Sequence, residues 1–251
     1  MGRATSRKKK VVRRQRKFTR KHKGGNHKHI VYYTCFFGKT GTASHKIPHL
    51  PSTTSDCFYF TNNSDASKKA RESGWKVVNV YKQIKNTNRD NSVDSKELKA
   101  CPHHFDELKG YTYSCYFDSK LHVKEDDVED MLKEMHGDVV MLLNKHPGIK
   151  DVNKEFSEAM KDPRYAQDRE KYEALMKDKI ENGKYKNTAD VHYETSCILR
   201  KSGDIVDKIG EDWLKDIYKT GAECQISFFF IQQQYKDNIR PLSRYYGRDT
   251  K

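Results

Sequence analysis

Runs of apolar, β-prone residues alternate along this chain with polar stretches rich in helix formers. Residues 30–37 (IVYYTCFF) are apolar throughout and stop at Gly38, the pattern of a strand buried on both faces. Residues 57–61 (CFYFT), 75–81, 111–117, 138–143 (DVVMLL) and 191–200 repeat it in shorter or more polar form. Helical patterns lie between them. Residues 65–73 form one, with Ser64 as cap and Gly74 as stop; Ser95 starts another, interrupted near Pro102. Residues 125–136 place Val128, Met131, Leu132 and Met135 on one side. Residues 151–160 and 164–181 are charged helices, and 204–219 and 222–235 complete the set. Residues 82–94, rich in Asn and Lys, have no such period and are expected as loop. Strands alternating with helices predict an α/β fold: a mixed, largely parallel sheet flanked by helices.

One segment joins pattern to chemistry. Residues 111–123 read YTYSCYFDSKLHV, an apolar run that ends at Asp118 and then alternates polar with apolar. On an extended chain Asp118, Lys120 and His122 share a face, opposite Leu121 and Val123. In open α/β sheets, ligands bind beyond the carboxyl ends of strands. An acid there suits a metal or a phosphate; the bland alternative is a solvated strand end making surface ion pairs.

Charge changes the picture only when it is located. The net charge is +14, yet residues 1–29 hold 13 Lys or Arg and no acid. That leaves 36 of the 49 basic residues against 35 acidic ones in the rest of the chain. The body is near neutral, so basicity gives it no nucleic-acid footprint. Residues 1–29 are expected to be a disordered basic arm, able to contact polyanions such as nucleic acid or an acidic membrane surface, or to target the chain there or to the nucleus. Residues 30–251 are expected to form one domain with a helical excursion near 150–185. No apolar run is long enough to span a membrane, and no apolar segment of a secretory signal follows the basic stretch. Cys35, Cys57, Cys115 and Cys197 lie in or beside apolar runs, and no C-x-x-C pair occurs. A reducing, intracellular compartment without a disulfide framework is the expectation. Cys101, His103, His104 and Cys115 do not have the spacing of the usual paired zinc ligands. Gly38-Lys39-Thr40 is not a phosphate loop, because Tyr33 stands where that motif needs its first Gly.

The order of landmarks resembles a family of glycosyltransferase-like proteins with a GT-A-type nucleotide-sugar-binding fold. That family, formerly a domain of unknown function, includes plant cell-wall and mucilage proteins and microbial relatives. Phe37-Gly38 matches its first strand end, and Cys57-Phe58-Tyr59-Phe60-Thr61, with Asn62 in place of an acid, its second. Gly74-Trp75-Lys76-Val77 follows, then Lys99-Ala100-Cys101-Pro102-His103 before Tyr116-Phe117-Asp118. His146, Lys150 and Glu155 come next, then Trp213, Ile217 and Gln225-Ile226-Ser227-Phe228. The likeness spans roughly residues 30–240. Two positions depart from it: Lys120 stands where an Asp-x-Asp-like metal motif has its second acid, and Cys224 where an acid precedes Gln225.

The resemblance implies a nucleotide-sugar donor and a carbohydrate or glycoconjugate acceptor, with Phe37, Gly38, Asn62, Asp118 and Lys120 on the donor. The leaving diphosphate is then met by a divalent cation (Mn²⁺ or Mg²⁺) held by Asp118 and His122, or by Lys120 directly. Inverting transfer needs a general base, for which Glu223 is the first candidate and Glu194 the second. Their bland readings are an N-terminal helix charge and a solvent-facing acid. His146, Lys150, Glu194, Arg200 and Gln225 are candidates for acceptor or phosphate contacts. The competing function is a catalytically inactive, nucleic-acid-associated or structural protein bound through its arm.

Overall fold

A computed structural model of the chain describes residues 30–39, 46–182 and 185–247; the basic arm lies outside them. The apolar runs become β1 (Ile30–Phe36), β2 (Asp56–Thr61), β3 (Lys76–Asn79), β4 (Tyr113–Phe117), β5 (Met141–Lys145) and β6 (Tyr193–Lys201). A seventh strand, β7 (Ile239–Pro241), closes one edge. They form one sheet in the order β3-β2-β1-β4-β6-β5-β7. Only β6 runs against its neighbours β4 and β5; the other pairings are parallel. The carboxyl ends of six strands and the start of β6 therefore meet along one side of the molecule. This is the mixed, largely parallel α/β architecture expected of a GT-A-like chain.

Alternation along the strands feeds two cores. On one face Val31, Tyr33, Tyr116, Leu143 and Ile198 pack against three helices: α2 (Asn88–Ala100), α7 (Asp204–Thr220) and α8 (Cys224–Gln234). On the other, Tyr32, Cys115, Phe117, Leu142 and Leu199 meet α1 (Ser64–Glu72), α3 (Glu125–Lys133) and the tail residues Leu242 and Tyr246. The expected excursion near 150–185 is helical: α4 (Val152–Ala159), α5 (Pro163–Ala166) and α6 (Arg169–Glu181). It buries Val152, Tyr172 and Met176 against Ile226, Phe229 and Phe230 of α8. This second apolar surface on α8 explains why that helix is apolar nearly all round.

Several boundaries differ from the sequence reading, each for a local reason. Asn63, not Ser64, caps α1, accepting the Ala66 amide at 2.9 Å. Helix α2 begins seven residues before Ser95, because Thr87 caps it by accepting the Asp90 amide at 3.1 Å. The expected single helix over 164–181 is broken at Asp168, whose carboxylate takes a two-pronged ion pair from Arg89 at 2.7 and 2.9 Å. No helix among the described residues is long and apolar enough to cross a membrane.

Candidate functional site

The ends of β1 and β2 are stitched together. Gly38, at φ 128°, lies where side chains are strained. Its amide donates to Asn62 Oδ1 at 3.0 Å, and its carbonyl accepts Asn63 Nδ2 at 2.8 Å. Beside this junction opens a cavity of about 300 Å³, bordered by Phe37, Gly38 and Lys39 on one side and by Asn88 and Arg164 on the other. Phe37, Gly38 and Asn62 are thus brought together at one strand-end corner.

Asp118 follows β4, next to β1 in the sheet. Its Oδ1 accepts the Tyr116 hydroxyl at 2.7 Å and lies 3.4 Å from the Lys99 ammonium. The Asp118 side chain keeps 32% exposure, whereas that of Lys99 keeps 3%. The Lys99 ammonium also lies 5.2 Å from the centre of the Tyr116 ring. Burial works to raise the Asp118 pKa. The charges of Lys99 and Lys96, the Tyr116 hydroxyl and the Lys120 charge outweigh it and hold the group below its ordinary value. Lys96 lies one turn before Lys99 on α2. Burial would lower its pKa, but Cys224, Asp118, Tyr165 and Glu223 around it raise it instead. Lys96 therefore stays an ammonium with Asp118 and Glu223 among its charged neighbours.

Glu223 caps α8, one carboxylate oxygen accepting the Gln225 amide at 2.9 Å. Trp213 anchors that helix start, its Nε1 donating to the Cys224 carbonyl at 3.0 Å. The Tyr172 hydroxyl takes the Glu223 amide at 2.8 Å. Burial is the main influence on Glu223 and raises its pKa, with Glu155 adding to the rise; the Gln225 amide and Lys96 work against it. The bland reading of Glu223 as a helix cap is therefore true, but its raised pKa goes beyond what a cap requires. Gln225 spans the site, donating to Glu155 Oε1 at 2.9 Å and accepting the Thr195 amide at 3.3 Å. Glu155 is buried against His192, 3.2 Å away. Burial pushes the Glu155 pKa up, but the hydrogen bond and charge of His192 reverse this and leave it lowered. The His146 ring stacks on His192 with centres 5.5 Å apart, while its Nδ1 accepts the Ile149 amide at 3.0 Å.

Other candidates lie elsewhere. Arg200 sits within β6 at 1% exposure, donating to the Tyr33 hydroxyl at 3.0 Å and to the Lys99 carbonyl at 2.5 Å. It lies inside the strand rather than after it, and it caps the carboxyl end of α2, the helix that carries Lys99. Glu194, expected to face solvent, is buried and accepts from Ser196 Oγ at 2.9 Å and from the Tyr245 hydroxyl. Lys150 is exposed and borders a separate groove of about 1320 Å³ with Lys186, Lys236 and Arg240.

The expected alignment of Asp118, Lys120 and His122 does not form. The chain turns after β4, with the Leu121 amide returning to the Asp118 carbonyl at 2.9 Å. Leu121 and Val123 pack into the core of the opposite sheet face. The His122 ring lies against His49 with centres 5.0 Å apart, and His49 belongs to the segment that covers that face through Ile47 and Leu50. Asp118 is engaged from the α2 side. A divalent cation needs several converging oxygen or nitrogen ligands. Asp118 offers one carboxylate, already compensated by Lys99 and flanked by Lys96 and Lys120, so Asp118 and His122 do not fit such a cation.

Lys96, Lys99 and Tyr165 were not singled out in the sequence as site residues. Lysines in a charged helix carry no sequence signal; the position of Lys99 in the Lys-x-x-Pro-His pattern was the one available clue.

Many solved structures resemble the chain, two glycosyltransferases among them. Mouse xyloside xylosyltransferase 1, in its apo form, superposes with a TM-score of 0.49 and 9% identity over 84% of each chain. The mannosyltransferase Ktr4p from S. cerevisiae superposes with a TM-score of 0.42 and 8% identity, over 85% of this chain and 68% of that one. No family model and no curated protein sequence matches the chain.

Proposed function

We propose that this chain is a glycosyltransferase that moves a sugar from a nucleotide-sugar donor to a carbohydrate or glycoconjugate acceptor. One observation carries the reading. At the carboxyl ends of a largely parallel sheet, a charged acid after β4 and a carboxyl of raised pKa at the start of α8 share one ammonium, that of Lys96. Such strand ends are where α/β folds of this type bind ligands. Two carboxyls whose environments push their pKa values apart, one down and one up, suit a fixed acid and an acid–base group in group transfer.

In this reading the donor nucleotide occupies the cavity beside Phe37, Gly38 and Lys39. Asp118 accepts donor hydroxyls, its orientation held by Tyr116 and Lys99. Lys96, with Lys120 at the rim, meets the diphosphate and stabilises it as it leaves. Glu223 takes the proton of the acceptor hydroxyl, and its raised pKa brings it nearer to the working pH of a base. Gln225 and the Glu155–His192 pair fix the start of α8 around it.

The test is turnover of the full chain against a panel of nucleotide sugars, read as release of nucleoside diphosphate. The expected result is release from one donor class, lost by about 100-fold or more in Lys96→Ala. Absence of turnover together with no stabilisation by any nucleoside diphosphate would overturn the reading. So would wild-type turnover in Lys96→Ala and Asp118→Asn.

A further inference from the structure

A second cluster of ligating side chains lies at the carboxyl end of α2, and the proposed transfer reaction does not use it. Helix α2 ends at Cys101, and Pro102–His104 forms a single tight turn in which the His104 amide returns to the Cys101 carbonyl at 3.1 Å. The turn presents Cys101, His103 and His104 to Glu211 of α7, and one ligating atom from each of the four lies within 4.8 Å of the others.

Both imidazoles point Nε2 inward, to the same carboxylate oxygen. Glu211 Oε1 is 3.1 Å from His103 Nε2 and 2.6 Å from His104 Nε2. His104 also turns Nδ1 outward into a hydrogen bond with a second carboxylate, that of Glu97, whereas the buried Nδ1 of His103 makes no hydrogen bond. Asp207 Oδ1 is 3.2 Å from His103 Nδ1, and Glu97 Oε1 is 3.2 Å from His104 Nδ1. At His104 the outer acid fixes the ring as it does for histidine ligands of a metal, and the inner nitrogens of both rings meet at the Glu211 oxygen, a contact that an ion would replace. Two imidazole nitrogens converging on one carboxylate oxygen, with the second nitrogen of His104 held by an outer acid, give the cluster a single focus. The thiol of Cys101 forms the buried floor, while Glu211 is 51% exposed at the mouth, so an ion has a way in.

We propose that Cys101, His103, His104 and Glu211 bind one zinc ion at the junction of α2 and α7. One thiolate, two imidazoles and one carboxylate are a four-ligand set that zinc takes tetrahedrally, and the two anionic ligands neutralise it. All four positions come from the protein, so the ion is structural. What it would hold in place follows from its neighbours. Lys99 lies two residues before Cys101, and the Ala100 carbonyl packs directly on Gly210 of α7. The ion would pin the end of α2, and with it the lysine that holds Asp118.

Cobalt titration of the chelator-stripped full chain tests this. The expected result is one Co²⁺ per chain, with the intense visible bands of a tetrahedral site and a thiolate-to-cobalt charge-transfer band, all displaced by zinc. Cys101→Ser should remove the charge-transfer band. Glu211→Gln, at an exposed position that leaves the fold intact, should weaken affinity by about 10-fold or more. Asp118→Asn should leave the cobalt spectrum unchanged, which separates this site from the donor site whatever the fate of the transferase reading. No saturable binding, the weak spectrum of an octahedral ion, or a tetrahedral spectrum that survives in both tetrad variants would each overturn the proposal.

Discussion

Asp118 and Glu223 share Lys96 as a charged neighbour, yet their pKa values move in opposite directions. Burial pushes both up, and Lys96 and Lys99 oppose it at both; at Asp118 the Lys99 ammonium 3.4 Å away, with Lys96, the Tyr116 hydroxyl and Lys120, reverses it, whereas at Glu223 burial prevails. The two shifts have opposite consequences for stability. A carboxyl whose folded pKa is raised costs stability above the folded value and costs nothing below the unfolded value of about 4.3. Glu223→Gln keeps an oxygen for the Gln225 amide and removes the charge. Its melting temperature should therefore match or exceed wild type at pH 8, and that advantage should shrink as pH falls toward 4, while turnover is lost. A uniformly lower melting temperature across that range would mean that Glu223 acts as a cap alone. Asp118 behaves in the reverse sense: its lowered pKa stabilises the fold above about pH 4, and this is lost as pH falls through the folded value. Asp118→Asn leaves the buried Lys99 ammonium without its carboxylate, so it should cost about 1–3 kcal/mol in denaturant unfolding at pH 7. Adding Lys99→Met should recover part of that cost without recovering turnover. If the double variant is no more stable than Asp118→Asn, the pair is not the source of the loss.

Helix α2 supplies Lys96 and Lys99, and its packing on α7 is close enough to test with one methyl group. A Cβ on Gly210 would fall 2.3 Å from the Ala100 carbonyl oxygen, against backbone that has no freedom to rotate away. Gly210→Ala should cost about 1–3 kcal/mol and reduce turnover, because it lifts the end of α2 from its seat. Gly148→Ala, where a Cβ meets nothing within 4 Å, is the control and should fall within about 0.5 kcal/mol of wild type. The same helix shows where sequence reading fails. Its first half, from Asn88 to Asp94, has no apolar period, because Arg89 reaches Asp168 of another segment and Asn91 is buried through hydrogen bonds to the Lys85 and Thr87 carbonyls. The Thr87 cap with Asp90 three residues on was the overlooked signal. Strands β1 and β5 were legible because burial on both faces makes them continuously apolar or nearly so; β6, with Glu194, Thr195, Ser196 and Arg200 buried in it, was read from its short apolar centre Cys197–Leu199. Strand β7, three residues ending in Pro241, leaves no pattern to read. The Asp118 turn was misread for the opposite reason: alternation in DSKLHV imitates a strand, whereas the Asp118 carbonyl closes a turn on Leu121.

At the scale of the whole molecule, the sheet order decides which distant residues meet. Asp118 and Glu223 were visible one at a time, as the end of a strand and the start of a helix. Their common neighbour Lys96 depends on α2 packing across β1, and the Glu155–His192–Gln225 grouping depends on three elements meeting, which no local pattern records. Cys101, His103 and His104 looked unsuited to zinc because their spacing lacks a second pair; Glu211, 107 residues beyond His104, completes the proposed set only in the folded chain. The same assembly bears on how the leaving diphosphate is neutralised. Around Asp118 the fold gathers ammonium groups, Lys96, Lys99 and Lys120, rather than a second acid. A dication there would face three positive neighbours with one carboxylate to hold it, while a diphosphate would find fixed positive charge already in place. Turnover by the zinc-loaded chain should therefore be the same with and without added Mn²⁺ or Mg²⁺. Lys120→Ala should weaken donor binding modestly, at the exposed rim, and Lys96→Ala severely. Introducing Lys120→Asp should lower turnover in the absence of Mn²⁺ and restore part of it in its presence, because it supplies the second acid that the strand end lacks. Strict Mn²⁺ dependence of the unaltered chain, with Lys96→Ala at wild-type rate, would return the cation to Asp118 and remove the lysines from the reaction.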